Sequence, residues 1–169
     1  STAYGDKVSS AEIEEFFAEA LTQAEEVIHI SLGAKIGKSH SVAVEAAKGF
    51  GHVHVIDSGQ ISCGQGLIVL YAAKLVSEGR SVMEVCEAVE NMKNHVHTGF
   101  IMPGADIFYK SGRARAVVAM ACRVFQLHPY GGLKQKKPKL YALFMGTLER
   151  AWKKGVYFSF LNKRKINTD

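Results

Sequence analysis

Hydrophobic and polar positions change period along this chain, and each change marks an element. Ser9-Ser10-Ala11-Glu12 sets a hydroxyl cap ahead of an acid in a first helical turn, and Ile13, Phe16, Phe17, Ala20 and Leu21 then fall on one helical face. Val27 to Leu32 is an apolar run of strand length. Ser39 to Lys48 returns to helical spacing, with Val42, Ala43, Ala46 and Ala47 inward. Val53-His54-Val55-Ile56 reads as a second strand that stops at Asp57-Ser58-Gly59. Gly64 to Glu78 is a long helix rich in Leu, Val and Ala. Gly79-Arg80-Ser81 ends it and caps the next helix, Val82 to Lys93. A strand over Val96 to Ile101 is broken by Pro103-Gly104.

Beyond that break the alternation is less regular. Ala105 to Lys110 reads as a short helix ending at Ser111-Gly112, and Arg115 to Gln126 as a longer one with Val118, Ala119, Cys122 and Phe125 at helical spacing. Pro129, Gly131, Gly132 and Pro138 punctuate a basic stretch. Leu140 to Met145 is a strand, and Leu148 to about Asn162 a helix with Trp152, Val156, Phe160 and Leu161 inward. Strands alternating with helices over the first hundred residues predict an α/β sheet with right-handed crossovers. The change of pattern near residue 103 predicts two parts, an α/β lobe over 1–102 and a helical and hairpin segment over 103–169.

With 169 residues and 47% hydrophobic side chains, the chain can bury a core, and 22% charged residues exclude a disordered one. Its longest apolar run, around Leu67 to Ala73, is too short to span a bilayer. Cys63, Cys86 and Cys122 have neither metal-ligand nor disulfide spacing, which predicts a reducing, cytoplasmic setting. The first residues lack a signal peptide's basic and apolar regions and a starting Met, so the chain reads as a fragment or a processed form. The net charge of +5 comes mostly from late lysines and arginines between Lys134 and Lys165. No nucleic-acid motif accompanies them, so they read as a solvated basic surface rather than a nucleic-acid interface.

The segment with the clearest chemistry is Ile30-Ser31-Leu32-Gly33-Ala34-Lys35-Ile36-Gly37-Lys38-Ser39, a strand, a glycine-bearing loop and a helix start. Unpaired N–H groups and the positive end of the helix dipole make such a place an anion site. Gly37-Lys38-Ser39 is also the tail of a phosphate-binding loop, and Val53 to Asp57 could supply the metal-holding aspartate of a nucleotide enzyme. The spacing G-x-x-x-x-G-K-[ST] fails, because Leu32 stands where the first glycine is needed. His52 with His54, and His95 with His97, are spaced to share a strand face, but no acid or cysteine follows at ligand spacing, so both pairs read as polar strand positions. His29 and His128 lie near apolar strands and read as core or pocket residues. Cys63, at a helix start, reads as a small buried residue rather than a nucleophile.

The order of motifs resembles the DegV family, the bacterial fatty-acid-binding proteins. The matching stretches are Val8-Ser9-Ser10 before Phe16-Phe17, Ala34 to Ser39 with Ala46-Ala47, Val55-Ile56-Asp57-Ser58 and Gly64-Gln65-Gly66. Lys110-Ser111-Gly112-Arg113, His128-Pro129 and Gly132-Leu133-Lys134 close the series. The resemblance covers roughly residues 8 to 162. It implies a parallel-sheet α/β lobe followed by part of a second, α+β lobe. It further implies a lipid carrier and no catalyst: one long-chain fatty acid in an apolar tunnel, its carboxylate presented to a fatty acid kinase, with no cofactor or metal.

Carried onto this chain, Ser39 takes the place of the family loop's threonine and Ser9 that of the serine in the early turn. Arg113 matches the arginine of the later glycine–arginine turn, and Lys38 adds a charge beside Ser39. The resemblance thus implies Ser9, Lys38, Ser39 and Arg113 as ligand-binding residues. Asp57 and Ser58 match a turn that reads as structural. Gly37 replaces a serine of the family loop and His40 its usual tyrosine, which shifts the head-group chemistry toward backbone N–H groups. The family's usual opening D-S-T-x-D-L-like segment and its C-terminal continuation are absent from this sequence. Two other classes compete with the carrier: a phosphate- or nucleotide-binding enzyme using Gly37 to Ser39 with Asp57, and a nucleic-acid module using the late lysines.

Overall fold

The computed structural model describes residues 8–104, 116–134 and 136–161. The chain divides into two compact units, Ser1–Thr98 and Gly99–Asp169. The first unit runs α1 (Ser10–Leu21), β1 (Val27–Ser31), α2 (Ser39–Ala47), β2 (Val53–Asp57), α3 (Cys63–Ser77) and α4 (Val82–Met92). Strands β1 and β2 are parallel, with Val27 opposite Val53 and Ser31 opposite Asp57. Parallel strands need a crossover between them, and α2 is that crossover.

Helices cover both faces of this sheet, and strand alternation assigns each side chain to a face. Ile28, Ile30 and Ile56 pack with Ile68 and Ala72 of α3 and with Val85 and Val89 of α4. The alternate residues Val27, Val53 and Val55 pack with Ile13 and Phe17 of α1 and with Ala43 and Ala46 of α2. Phe17 is fully buried and meets the rings of His29 and Phe50 edge-on, at 5.4 and 6.1 Å between centroids. Phe16, expected on the same stripe, is exposed instead. The stripe that reaches the sheet is Ile13 and Phe17, four residues apart, and Phe16 lies off it.

The second unit holds β3 (Gly99–Ile101), α5 (Ala116–Val124), β4 (Leu127–Lys134), β5 (Lys137–Met145) and α6 (Leu148–Leu161). Its three strands form an antiparallel sheet in the order β3-β4-β5. The division therefore falls at Thr98 rather than at residue 102, because Gly99 to Ile101 pairs with Tyr130 to Gly132. Val96 to Thr98, expected to begin that strand, is irregular. The short helix expected over 105–110 lies outside the described residues.

β4 went unseen in the pattern because Pro129, Gly131 and Gly132 read as breakers. Here Pro129 and Gly131 each have a use. Pro129 lends only its carbonyl, which accepts the Met102 N–H at 3.0 Å. A Cβ on Gly131 would stand 2.7 Å from the Phe100 ring and 2.9 Å from the Lys139 carbonyl oxygen. Buried Tyr130 anchors the unit. Its ring lies among those of Tyr141, Phe144 and Phe158, and its hydroxyl bonds that of Ser159. Helix α6 turns Ala151 and Gly155 inward, and Trp152, expected inside, is 60% exposed. The reason is close approach: a Cβ on Gly155 would lie 2.6 Å from Ile101 Cδ1.

Candidate functional site

The site is built where β1 and β2 end side by side. Ser31, at the end of β1, is 3% exposed and donates its hydroxyl to the Ile56 carbonyl at 3.1 Å. That commitment makes the Ser31 oxygen an acceptor for His40 Nδ1, 2.8 Å away on the first turn of α2. Strand end and helix start are thereby tied together. His29, two residues back on the same strand face, has its pKa held below the ordinary histidine value, first by burial and second by the charge of His40.

The loop between Leu32 and Lys38 is closed from within. Gly33 N–H donates to the Gln60 carbonyl at 2.9 Å, and Ala34 N–H donates to Asp57 Oδ1, also at 2.9 Å. Ile36 and Gly37 N–H both turn back to the Gly33 carbonyl, at 2.8 and 3.4 Å. Gly33 has to be glycine, since a Cβ would come within 2.9 Å of the Gly59 backbone carbon. Asp57 is the hub: the same Oδ1 also accepts the Gly59 N–H at 2.8 Å, and its backbone carbonyl accepts Lys93 Nζ at 2.9 Å.

This wiring weighs against the nucleotide reading. A phosphate cradle needs its loop N–H groups free, and four of them are already used inside the turn. The aspartate that reading needs for a metal instead fixes the loop. Among the described residues, no cluster of three His, Cys, Asp or Glu side chains is placed to hold a metal.

What the loop leaves available is the start of α2. Helices α1 and α4 open on full capping boxes, Ser9 with Glu12 and Ser81 with Glu84. Helix α2 opens on Lys38, whose backbone is αR and whose side chain caps nothing. The first N–H groups of α2 therefore receive no side-chain cap, next to the exposed Ser39 hydroxyl and the Lys38 ammonium. An anion is what such a start binds.

The other expected site residues separate. Ser9 Oγ accepts the Glu12 N–H at 3.3 Å and donates to Glu12 Oε2 at 2.7 Å, so its hydroxyl is engaged as a cap. The Ser9 backbone N–H, donating to Glu12 Oε2 at 2.7 Å, and then the Ser9 hydroxyl hold the Glu12 carboxyl below the ordinary carboxylate pKa. Arg113 lies outside the described residues. Four site-building residues escaped the sequence reading. Buried Gln60 donates to the Val96 carbonyl at 2.8 Å and accepts from the Thr98 hydroxyl at 2.8 Å, and Gln65 donates to the Ile30 carbonyl at 3.0 Å. Ser31 and Lys93 complete the set, and no sequence signal distinguishes any of them except Gln65, which sits inside the G-x-G match.

The histidine pairs also need correction. His52 and His54 are not without an acid: Glu26, on the approach to β1, places one carboxylate oxygen 3.3 Å from His52 Nδ1 and the other 2.8 Å from His54 Nε2. These bonds, His54 first, hold the Glu26 carboxyl below its ordinary pKa. His95 sits in a turn and His97 in irregular chain, so they share no strand. Cys63 is exposed at the start of α3, not buried.

Known proteins share this fold. A family model described as "Uncharacterised protein, DegV family" matches residues 4–158. The chain belongs to the DegV family. A DegV domain-containing protein of Deinococcus radiodurans is 31% identical over 133 residues, 78% of this chain and 44% of that protein. Among solved structures, a DegV family protein from Thermus thermophilus, described by its fatty acid binding, superposes with a TM-score of 0.73 at 24% identity. The match covers 93% of this chain and 56% of that one. The Fatty Acid Kinase (Fak) B3 protein of Streptococcus pneumoniae, solved loaded with linoleic acid, gives a TM-score of 0.70 at 19% identity, over 89% of this chain and 56% of that one. At these identities the structures show a shared α/β fold. This DegV chain spans about half the length of the relatives it matches.

Proposed function

We propose that this protein is a carrier that binds a long-chain fatty acid, holding the carboxylate at the start of α2. The observation that carries the reading is the uncapped start of α2 beside a loop whose own N–H groups are already bonded. A carboxylate there accepts from the first N–H groups of the helix and from the Ser39 hydroxyl, and Lys38 supplies a counter-charge. Such bonds hold the ionised head group, while burial of the chain contributes about 0.8 kcal/mol per CH₂. The Ser31 hydroxyl beside His40 is committed to the Ile56 carbonyl, and on this reading the protein binds and presents its ligand rather than transforming it.

The family supports the same reading, since the Thermus thermophilus relative is described by fatty acid binding and the Streptococcus pneumoniae one as a fatty acid kinase B protein. A fatty acid kinase is the partner we infer, and the family resemblance implies Arg113 as a further ligand-binding residue. The three described cysteines are free, and no helix among the described residues is long and apolar enough to cross a membrane. We infer a cytoplasmic setting from the free thiols.

Native mass spectrometry of the purified chain, with extraction and analysis of bound lipid, tests the proposal. A fatty acid at near-equal stoichiometry, or uptake of added palmitate or oleate, is expected. Ser39→Ala should weaken uptake about tenfold to a hundredfold, the worth of one hydroxyl bond to a charged acceptor, while Ser39→Thr should retain it. A chain that carries no lipid and refuses both acids overturns the reading.

A further inference from the structure

The residue after Ser39 gives the carboxylate site proposed above a second property. His40 lies on the first turn of α2, partly exposed, with Nδ1 2.8 Å from the Ser31 oxygen. The Ser31 hydroxyl already donates to the Ile56 carbonyl at 3.1 Å, so it accepts from the ring, and the proton of a neutral His40 sits on Nδ1. Nε2 then bears only a lone pair, and it bonds nothing among the described residues. Toward an approaching anion a lone pair is repulsive, whereas the Nε2–H of an imidazolium donates. His40 is the second residue of α2, so its backbone N–H is one of the groups offered to the carboxylate. Its ring stands within a few ångströms of an anion held by those groups.

The charged groups around His40 do not take this role. Helix α2 packs against α1, β1 and β2. On β1 the titratable group is His29, which resists protonation because burial, and then the charge of His40, hold its pKa below the ordinary value. On β2 it is Asp57, whose Oδ1 accepts the Ala34 and Gly59 N–H groups. His54 alternates to the other face of the sheet and bonds Glu26 at 2.8 Å. Helix α1 meets α2 through Ile13 and Phe17, and its glutamates are exposed. Lys35 on the loop and Lys38 at the cap are exposed ammoniums.

Resting on the carrier reading above, we propose that His40 couples fatty acid binding to proton uptake. As the carboxylate settles at the start of α2, the ring takes a proton from solvent onto Nε2 and donates it in a hydrogen bond to the head group, so the ligand is held more tightly as the pH falls. By linkage, an anion that favours the protonated ring is itself favoured by it. An opposite charge within about 4–6 Å moves a titration by about 1–3 units. Oleate, kept below the concentration at which it aggregates, should therefore bind the unaltered chain about fivefold to twentyfold more tightly at about pH 6 than at about pH 8. The fatty acid's own carboxyl titrates below that window, near about pH 4–5. His40→Asn keeps a donor for Ser31 but cannot take a proton, and should reduce the pH effect to about twofold or less. In the unaltered protein the His40 ring titration, followed by NMR, should move up by about one to two pH units when oleate is added. That measurement decides alone if His40→Asn does not fold. Oleate bound equally at both pH values, an undiminished pH effect in His40→Asn, or an unmoved His40 titration overturns the proposal and leaves the carrier reading standing. No uptake of oleate at any pH overturns both.

Discussion

The two units solve the problem of a small sheet in opposite ways. In the first, two parallel strands of five residues are covered by helices on both faces, so nearly all of their side chains work in a core. Its open edge along β1 borders a groove of about 640 Å³. In the second, three antiparallel strands hold themselves together through a long β4–β5 ladder, and α6 packs on the sheet through small residues. Leu140, Leu143 and Met145 of β5 remain half or more exposed. A parallel pair has no hairpin to hold it and depends on its helices, whereas an antiparallel hairpin carries its own ladder and can leave apolar side chains outside. Stability in the first unit should therefore concentrate in buried side chains, and in the second it should be spread along the backbone.

The largest test of that contrast compares two aromatic deletions. Phe17→Ala, in the core against β1, should cost about 3–5 kcal/mol. Trp152→Ala, on the outer face of α6, should stay within about 0.5 kcal/mol. Denaturant unfolding followed by circular dichroism measures both, and similar costs would break the contrast.

A smaller effect is expected at Gly64, the glycine that opens the G-x-G of α3. A Cβ there would stand 2.0 Å from Thr98 Oγ1 and 3.1 Å from Gln60 Oε1. Gly64→Ala should cost about 1–3 kcal/mol through overpacking, and less in a Thr98→Ala background, since the two share one contact. Equal costs in both backgrounds would show that backbone conformation rather than Thr98 requires the glycine. At Asp57, Ala would leave the Ala34 and Gly59 N–H groups without their acceptor, costing about 1–3 kcal/mol and weakening fatty acid uptake by loosening the loop. Unchanged uptake would separate the loop from the ligand.

The smallest effect is pH dependence. The folded pKa of His29 lies below the ordinary value of 6.5. Between those two values the unfolded chain binds more protons than the folded one, so stability rises with pH. Acidification from neutral should erode stability from about pH 6.5 downward until the folded pKa is passed. His29→Gln should flatten that slope in urea midpoints measured across the range, and an unchanged slope would place its origin elsewhere.

How much of this was readable differs between the units for the same reason. The first unit's helices and strands were legible because each buries one stripe or alternates between two covered faces, which writes a period into the sequence. The cap at Ser9, the turn at Asp57-Ser58 and the uncapped start at Lys38-Ser39 were legible too, since they depend on neighbours a few residues away. β4 was not, because Pro129 and Gly131 answer to Met102, Phe100 and Lys139, all distant in the chain. Trp152 was misplaced because large apolar residues read as core, whereas α6 needs small ones to come close to Ile101.

The sequence by itself determined the α/β class, the order of elements in the first unit, the family and the helix start on which the carboxylate proposal rests, because local spacing and capping chemistry specify them. Only the tertiary structure decided that Asp57 secures the loop instead of a metal, that Glu26 joins two histidines, that β3 belongs with the second sheet, and that the Ile56 carbonyl, acting through Ser31, sets the tautomer of His40. Each of those depends on atoms brought together across tens of residues, and a hydrogen bond or a collision between distant residues leaves no period in the chain that makes it.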